Sequence, residues 1–189
     1  MTLTNLRGTA YDYKGEFDQA ISDFNKAIEL DPRYDRAYVN RGLAYFKKSE
    51  FDQAISDFTK AIEIDPKHAE AYANRGNAYL EYYDKGKHDQ AISDYSEAIE
   101  LGLRTARVYY GRGLAYGKKG EFDQAISDFT KAIEIDPRYA EAYANRGTVY
   151  LYTKEYDNAW NDYKKAQALG TPISLKFLKM LREASGREK

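Results

Sequence analysis

The sixteen residues FDQAISDFTKAIEIDP stand unchanged at 51–66 and at 122–137, and AEAYANRG stands at 69–76 and at 140–147. Both displacements equal 71 residues, which is two steps of 34 with three residues inserted. Laid out from Met1, the units are 1–34, 35–68, 69–105, 106–139 and 140–173, followed by a tail to Lys189. A fixed period of this length marks an array in which each unit is one supersecondary element. Such a unit cannot bury its own apolar face, so the copies must stack into a continuous core.

Each unit reads as two helices. In the second, Ala37, Tyr38, Arg41, Tyr45 and Lys48 fall at helical spacing, and Ser49 to Asp52 interrupt. Ala54, Ile55, Phe58, Ala61, Ile62 and Ile64 then form an apolar stripe at i, i+3 and i+4. Asp65-Pro66 ends it, because a residue before proline leaves the α region and proline lacks the donor that a continuing helix needs. Asp18, Asp52, Asp89, Asp123 and Asp157 open the second helices, where a carboxylate meets free N–H groups and the positive end of the helix dipole.

Small residues recur in register with large ones. Gly8, Gly42, Gly76, Gly113 and Gly147 lie in the first helices, and Ala20, Ala54, Ala91, Ala125 and Ala159 in the second. A glycine inside a helix costs about 1 kcal/mol against alanine, so the column predicts backbones packed too closely for a side chain. Ala27, Ala61, Ala98, Ala132 and Ala166 predict a second close approach, by the next hairpin. Tyr11, Tyr45, Tyr79, Tyr116 and Tyr150, with Phe24, Phe58, Tyr95, Phe129 and Tyr163, supply the bulk around them. This pattern of small, aromatic and proline positions resembles the tetratricopeptide repeat family over about 173 of the 189 residues. The resemblance implies an all-α fold: an α-solenoid, a right-handed superhelix of antiparallel helix pairs whose concave face is lined by the first helices.

One column departs from the family, which usually carries an aliphatic residue where this chain has Arg7, Arg41, Arg75, Arg112 and Arg146. Asp23, Asp57, Asp94, Asp128 and Asp162 form an equally complete column. The two predict an Arg–Asp pair across each hairpin, suited to the planar fork of guanidinium.

Function in such an array belongs where the copies diverge. The third unit inserts three residues within 81–86, places His88 where the others have Phe17, Phe51, Phe122 and Tyr156, and ends in Gly102-Leu103 instead of Asp-Pro. Gly102 is expected to cap its helix in the left-handed conformation. Neither His88 nor His68, in an inter-repeat turn, comes with a second histidine, a cysteine or a paired carboxylate, so both read as packing residues and no metal site is expected.

First-helix positions outside the packing columns are expected to face the groove. Asn40, Asn74 and Asn145 are equivalent, and an amide that both donates and accepts suits an extended peptide backbone. Asn77 follows one turn later. Val39, Leu43, Phe46, Leu80, Tyr110 and Leu114 form a semi-apolar centre. Arg36, Lys47, Arg107 and Lys118 alternate with Glu70, Glu81 and Glu141, which favours a ligand of mixed charge. Nineteen tyrosines are present, and all but Tyr13, Tyr110 and Tyr152 are assigned to packing columns, turns or the insertion. Those three are expected to project into the groove. The family's carboxylate clamp for acidic chaperone tails needs a set of cations that no register of these units supplies.

Catalysis requires a nucleophile, base or metal in a defined constellation, and none is visible. Gly111, Gly113, Gly117 and Gly120 match no phosphate-binding fingerprint. A net charge of −1 and a pI near 6.2 give no bulk reason to bind nucleic acid or an anionic membrane. No signal peptide and no long apolar run is apparent. The expectation is a cytoplasmic, non-enzymatic protein with no cofactor, a single solenoid domain over 1–189 capped by a helix at about 173–185 with Leu175, Leu178, Met180 and Leu181 inward. It binds a peptide or protein segment in its groove. Self-association through the uncovered N-terminal end or the groove, and a regulatory segment of a larger protein, are the alternatives.

Overall fold

The computed structural model describes residues 3–82 and 87–186, and every element among them is helical. The chain divides into two compact units, residues 1–103 and 104–189. In the first, helices α1 (Leu3–Tyr13) and α2 (Phe17–Leu30), α3 (Asp35–Lys47) and α4 (Phe51–Ile64), and α5 (Ala69–Glu81) and α6 (His88–Glu100) pair as hairpins 1 to 3. In the second, α7 (Ala106–Lys119) with α8 (Phe122–Ile135) and α9 (Ala140–Tyr152) with α10 (Tyr156–Ala168) form hairpins 4 and 5, followed by α11 (Leu175–Ser185). Within each unit neighbouring first helices touch, α1 with α3, α3 with α5, and α7 with α9. Among the described residues no helix is long and apolar enough to cross a membrane.

The joints follow local rules. Gly15, Ser49, Gly120 and Lys154, the same position of the hairpin turn, all take the left-handed conformation at φ between 61° and 82°. The next residue closes a bond back across the turn, as in Glu50 N–H to Tyr45 O at 2.9 Å and Glu121 N–H to Tyr116 O at 3.0 Å, which satisfies carbonyls at the helix end. Gly102 ends α6 in the same way, with φ 97° and Leu103 N–H bonded to Ala98 O. At Asp31, Asp65 and Asp136 the backbone turns extended before proline. Their carboxylates accept the N–H two residues on, at 2.9–3.0 Å. Of the inserted segment, residues 83–86 lie outside the described residues.

Two sequence expectations are corrected here. Position 16 of the repeat, glutamate in Glu16, Glu50, Glu121 and Glu155, precedes the second helix without a side-chain cap bond. The aspartates are the second residues of their helices, within the first turn near the positive end of the dipole, and Asp18 also pairs with Lys48 at 2.8 Å. The glycine column accommodates an aromatic ring and not a backbone. A Cβ on Gly42 would stand 2.7 Å from Phe58 Cε1, and one on Gly147 2.7 Å from Tyr163 Cδ1. Phe24, Phe58, Tyr95, Phe129 and Tyr163 are in consequence at most 1% exposed, and burying each stabilises the fold by about 2 kcal/mol. The alanines of both second-helix columns are fully buried.

All five Arg–Asp pairs form, each a fork of two bonds. Arg41 Nε and Nη2 reach Asp57 at 2.7 and 2.6 Å, and Arg146 reaches Asp162 at 2.7 and 2.9 Å; the other three match. The remaining Nη1 tethers the preceding hairpin: Arg41 to Asn25 at 2.6 Å, Arg75 to Thr59 at 3.0 Å, Arg146 to Thr130 at 2.8 Å. Tyr38, Tyr72, Tyr109 and Tyr143 lie under the guanidinium carbons at 5.6–5.8 Å. One side chain thereby pins three helices. Within the second unit α11 covers hairpin 5 through Phe177, Leu178, Met180 and the fully buried Leu181, packed with Leu151, Ala159 and Tyr163. Leu175, expected inward, is 84% exposed, because it stands two residues before Phe177 and therefore on the side of the helix away from the buried stripe.

Candidate functional site

In the first unit the face built from α1, α3 and α5 carries a ladder of amides. Asn5 is 1% exposed, donates to Tyr34 Oη at 3.3 Å, and accepts at Oδ1 from Asn40 Nδ2 at 3.1 Å. Asn40, half-exposed, therefore spends one amide hydrogen on the neighbouring hairpin, and its oxygen makes no hydrogen bond among the described residues. Asn77 accepts from Tyr95 Oη at 2.8 Å and keeps its amide hydrogens. Asn74, between them and half-exposed, makes no side-chain hydrogen bond among the described residues. Leu43 and Phe46 are half-buried beside the ladder, Phe46 edge-on to Phe51 at 5.6 Å. Val39 and Leu80 are only 5% exposed, with Val39 inside the core of hairpins 2 and 3.

Charge on this face is partly spent. Lys47 bonds Asp12 at 2.6 Å and lies over the Phe17 ring, while the other oxygen of Asp12 is buried without a partner. Arg36 is exposed and unpaired, and Tyr13 is 86% exposed. The Arg–Asp column spends Nε and Nη2 of each arginine inside its own hairpin. Arg7 holds the Asp23 carboxyl below its ordinary range through their hydrogen bonds.

In the second unit, α7 and α9 present a more occupied face. Tyr110 packs 4.8 Å from Tyr139 and 5.8 Å from Phe129, and burial pushes its phenol up to about 12. Its hydroxyl accepts from Asn145 Nδ2 at 3.0 Å, and the same amide donates to Glu141 O at 2.9 Å. Both roles of the Asn145 donor are thus internal. Leu114 packs against the core of Phe129 and Val149. Tyr152 stacks on Phe122 at 6.1 Å and remains 54% exposed, while Arg107 and Lys118 are exposed.

Sequence reasoning missed two things. The Asn25, Thr59 and Thr130 contacts join adjacent hairpins, and the polar character of that column was their only signal. His68 is not without carboxylates: Asp35 Oδ2 lies 2.8 Å from its Nδ1, brought there by stacking of hairpins 33 residues apart.

Profiles of the tetratricopeptide repeat match residues 35–68 and 106–139, and 58–93 and 129–168; a TPR-repeat profile matches 8–49 and 80–120. Among solved structures, the crystal structure of MamA is 31% identical, with 89% of this chain and 95% of that chain aligned at a TM-score of 0.79. PilW, described as a widely conserved type IV pilus biogenesis factor, shares the fold at 18% identity over 98% of this chain and 86% of its own, TM-score 0.83. YrrB, described as a TPR protein with an unusual peptide-binding site, does so at 22% identity over 98% and 86%, TM-score 0.69. No curated protein sequence matches the chain. With the period, the packing columns, the helix pairs and these likenesses agreeing, the chain belongs to the tetratricopeptide repeat family, a family of protein-interaction scaffolds.

Proposed function

We propose that this scaffold binds an extended peptide segment across α1, α3 and α5, with Asn74 as the central main-chain contact, and that its five repeats and α11 act as one binding domain. The observation that carries the reading is the open hydrogen-bonding capacity of that ladder: the whole amide of Asn74, the oxygen of Asn40 and the nitrogen of Asn77. An extended backbone offers alternating C=O and N–H groups that match such amides. Leu43 and Phe46 offer apolar anchorage, and Arg36 and Glu70 select mixed charge. Tyr13 and, on the second unit, Tyr110, Leu114, Arg107, Lys118, Asn145 and Tyr152 are secondary, since several are already engaged.

Selection of a peptide-display library on the full chain, followed by titration of an enriched peptide, tests this. Asn74→Ala should weaken binding roughly tenfold, the value of one or two hydrogen bonds, with the melting temperature unchanged. Equal affinity in the variant would remove the ladder from the site. The rival reading is self-assembly, favoured by Leu3 and Tyr13 on α1, which are 85% and 86% exposed. Sedimentation over a hundredfold concentration range decides between them, since a strict monomer removes self-assembly.

A further inference from the structure

Where hairpin 2 meets hairpin 3, three separate segments deliver metal-ligating side chains to one place. Asp35 is the first residue of α3, Asp65 follows the last residue of α4, and His68 precedes the first residue of α5. One ligand atom from each lies within 4.8 Å of the other two. Asp35 and His68 are largely buried, with 25% and 13% of their side-chain surface exposed. Asp65 uses Oδ1 to hold Lys67 N–H at 3.0 Å, which fixes the carboxylate and leaves Oδ2 without a partner.

Two of the three are departures from the repeat. Three other units have Ala69, Ala106 and Ala140 where α3 has Asp35, and the other Asp-Pro turns have Tyr34 and Tyr139 where this one has His68. Asp35 follows the turn at 31–34 and His68 closes the turn at 65–68, and the stacking of the hairpins brings the two changes together with Asp65 as a set of one nitrogen and two oxygen donors. Two carboxylates there face one imidazole. Arg36 and Lys67 line the same cavity, yet neither pairs with the carboxylates. A divalent cation would balance both charges at once.

We propose that Asp35, Asp65 and His68 form a binding site for a divalent transition ion of the zinc class, fastening hairpin 2 to hairpin 3. Imidazole with carboxylates suits zinc, cobalt or nickel, whereas calcium takes oxygen ligands. Tetrahedral bonds of about 2.1 Å place ligand atoms roughly 3.4 Å apart, so the His68–Asp35 contact opens slightly and the Asp65 oxygen closes in. Three protein ligands leave one position for water or for Glu70, which lines the cavity. Arg36 and Glu70, at the edge of the proposed peptide face, line the same cavity, but none of the three ligands belongs to that face.

The full chain is titrated with zinc chloride by calorimetry and with cobalt chloride by visible absorption. The expected result is one ion per chain, cobalt d–d bands, and a melting temperature that rises with zinc by mass action. His68→Tyr with Asp35→Ala installs what the other repeats carry, so the fold is retained while zinc affinity drops at least about tenfold. Asp35→Asn, nearly isosteric, should weaken it in the same direction, and His88→Gln, at the other histidine, should leave it unchanged. Equal affinity in the double variant, dependence on His88, or no binding at millimolar zinc overturns the proposal.

Discussion

Single residues decide most of the energetics. Arg41→Leu removes a guanidinium whose three bonded nitrogens hold Asp57 and Asn25, leaving a carboxylate 5% exposed with no counter-charge. Unfolding by urea should show a loss of about 3 kcal/mol. Arg41→Leu with Asp57→Ala should be less destabilised than the two single changes added, by about 2 kcal/mol of coupling. The pairing was legible from two complete columns of opposite charge, while the tether to Asn25 was not, because it exists only between stacked hairpins. Tyr110 sets an alkaline limit. An unfolded tyrosine ionises near pH 10, and the folded Tyr110 holds its proton to about 12. Its contribution is therefore complete below pH 10 and lost between 10 and 12, at most about 3 kcal/mol before solvent screening of the part-exposed ring reduces it. Tyr110→Phe should flatten that part of the stability–pH curve while leaving the neutral-pH melt within a degree or two.

At the scale of helices, the glycines separate propensity from space. Gly42→Ala gains helix propensity of up to about 1 kcal/mol. It also drives a methyl to 2.7 Å from the Phe58 ring, and overpacking of that kind costs about 1–3 kcal/mol. The expected net effect is destabilising. Gly76→Ala meets Tyr95 at 3.2 Å and should be near neutral, and Gly117→Ala meets only Ala125 at 3.9 Å and should stabilise. Melting the three variants side by side checks the order, and a stabilised Gly42→Ala would overturn the steric reading. Helix spans and their Asp-Pro and glycine stops were readable because they rest on local backbone rules. The inward face of α11 was not, since Leu175 continues the i, i+3 spacing of Leu178 and Leu181, and only docking of Phe177 with Trp160 and Tyr163 turns the buried face away from it.

At the scale of the molecule, each compact unit has a core of its own. Hairpins 1 to 3 gather around Phe24, Phe58 and their neighbours, and hairpins 4 and 5 with α11 around Phe129, Tyr163 and Leu181. Stability in a repeat array is a sum of repeat and nearest-neighbour contributions. A fragment of residues 1–103, with three hairpins stacked, should then give a helical circular dichroism spectrum and a cooperative melt. A random-coil spectrum would show that its core needs the rest of the chain.

The 34-residue period, the hairpin, the packing columns and the charge pairs were fixed by sequence alone, because each depends on residues inside one repeat whose spacing follows the helix. Tertiary structure decided which polar groups stay open. Asn40 meets Asn5 and Asn145 meets Tyr110, each 35 residues away, and His68 meets Asp35 at 33. Those separations are one step of the array, so the contacts arise only when hairpins stack in register. Identical asparagines in the sequence consequently become an engaged Asn145 and an open Asn74, and a lone histidine becomes one corner of a three-donor cluster.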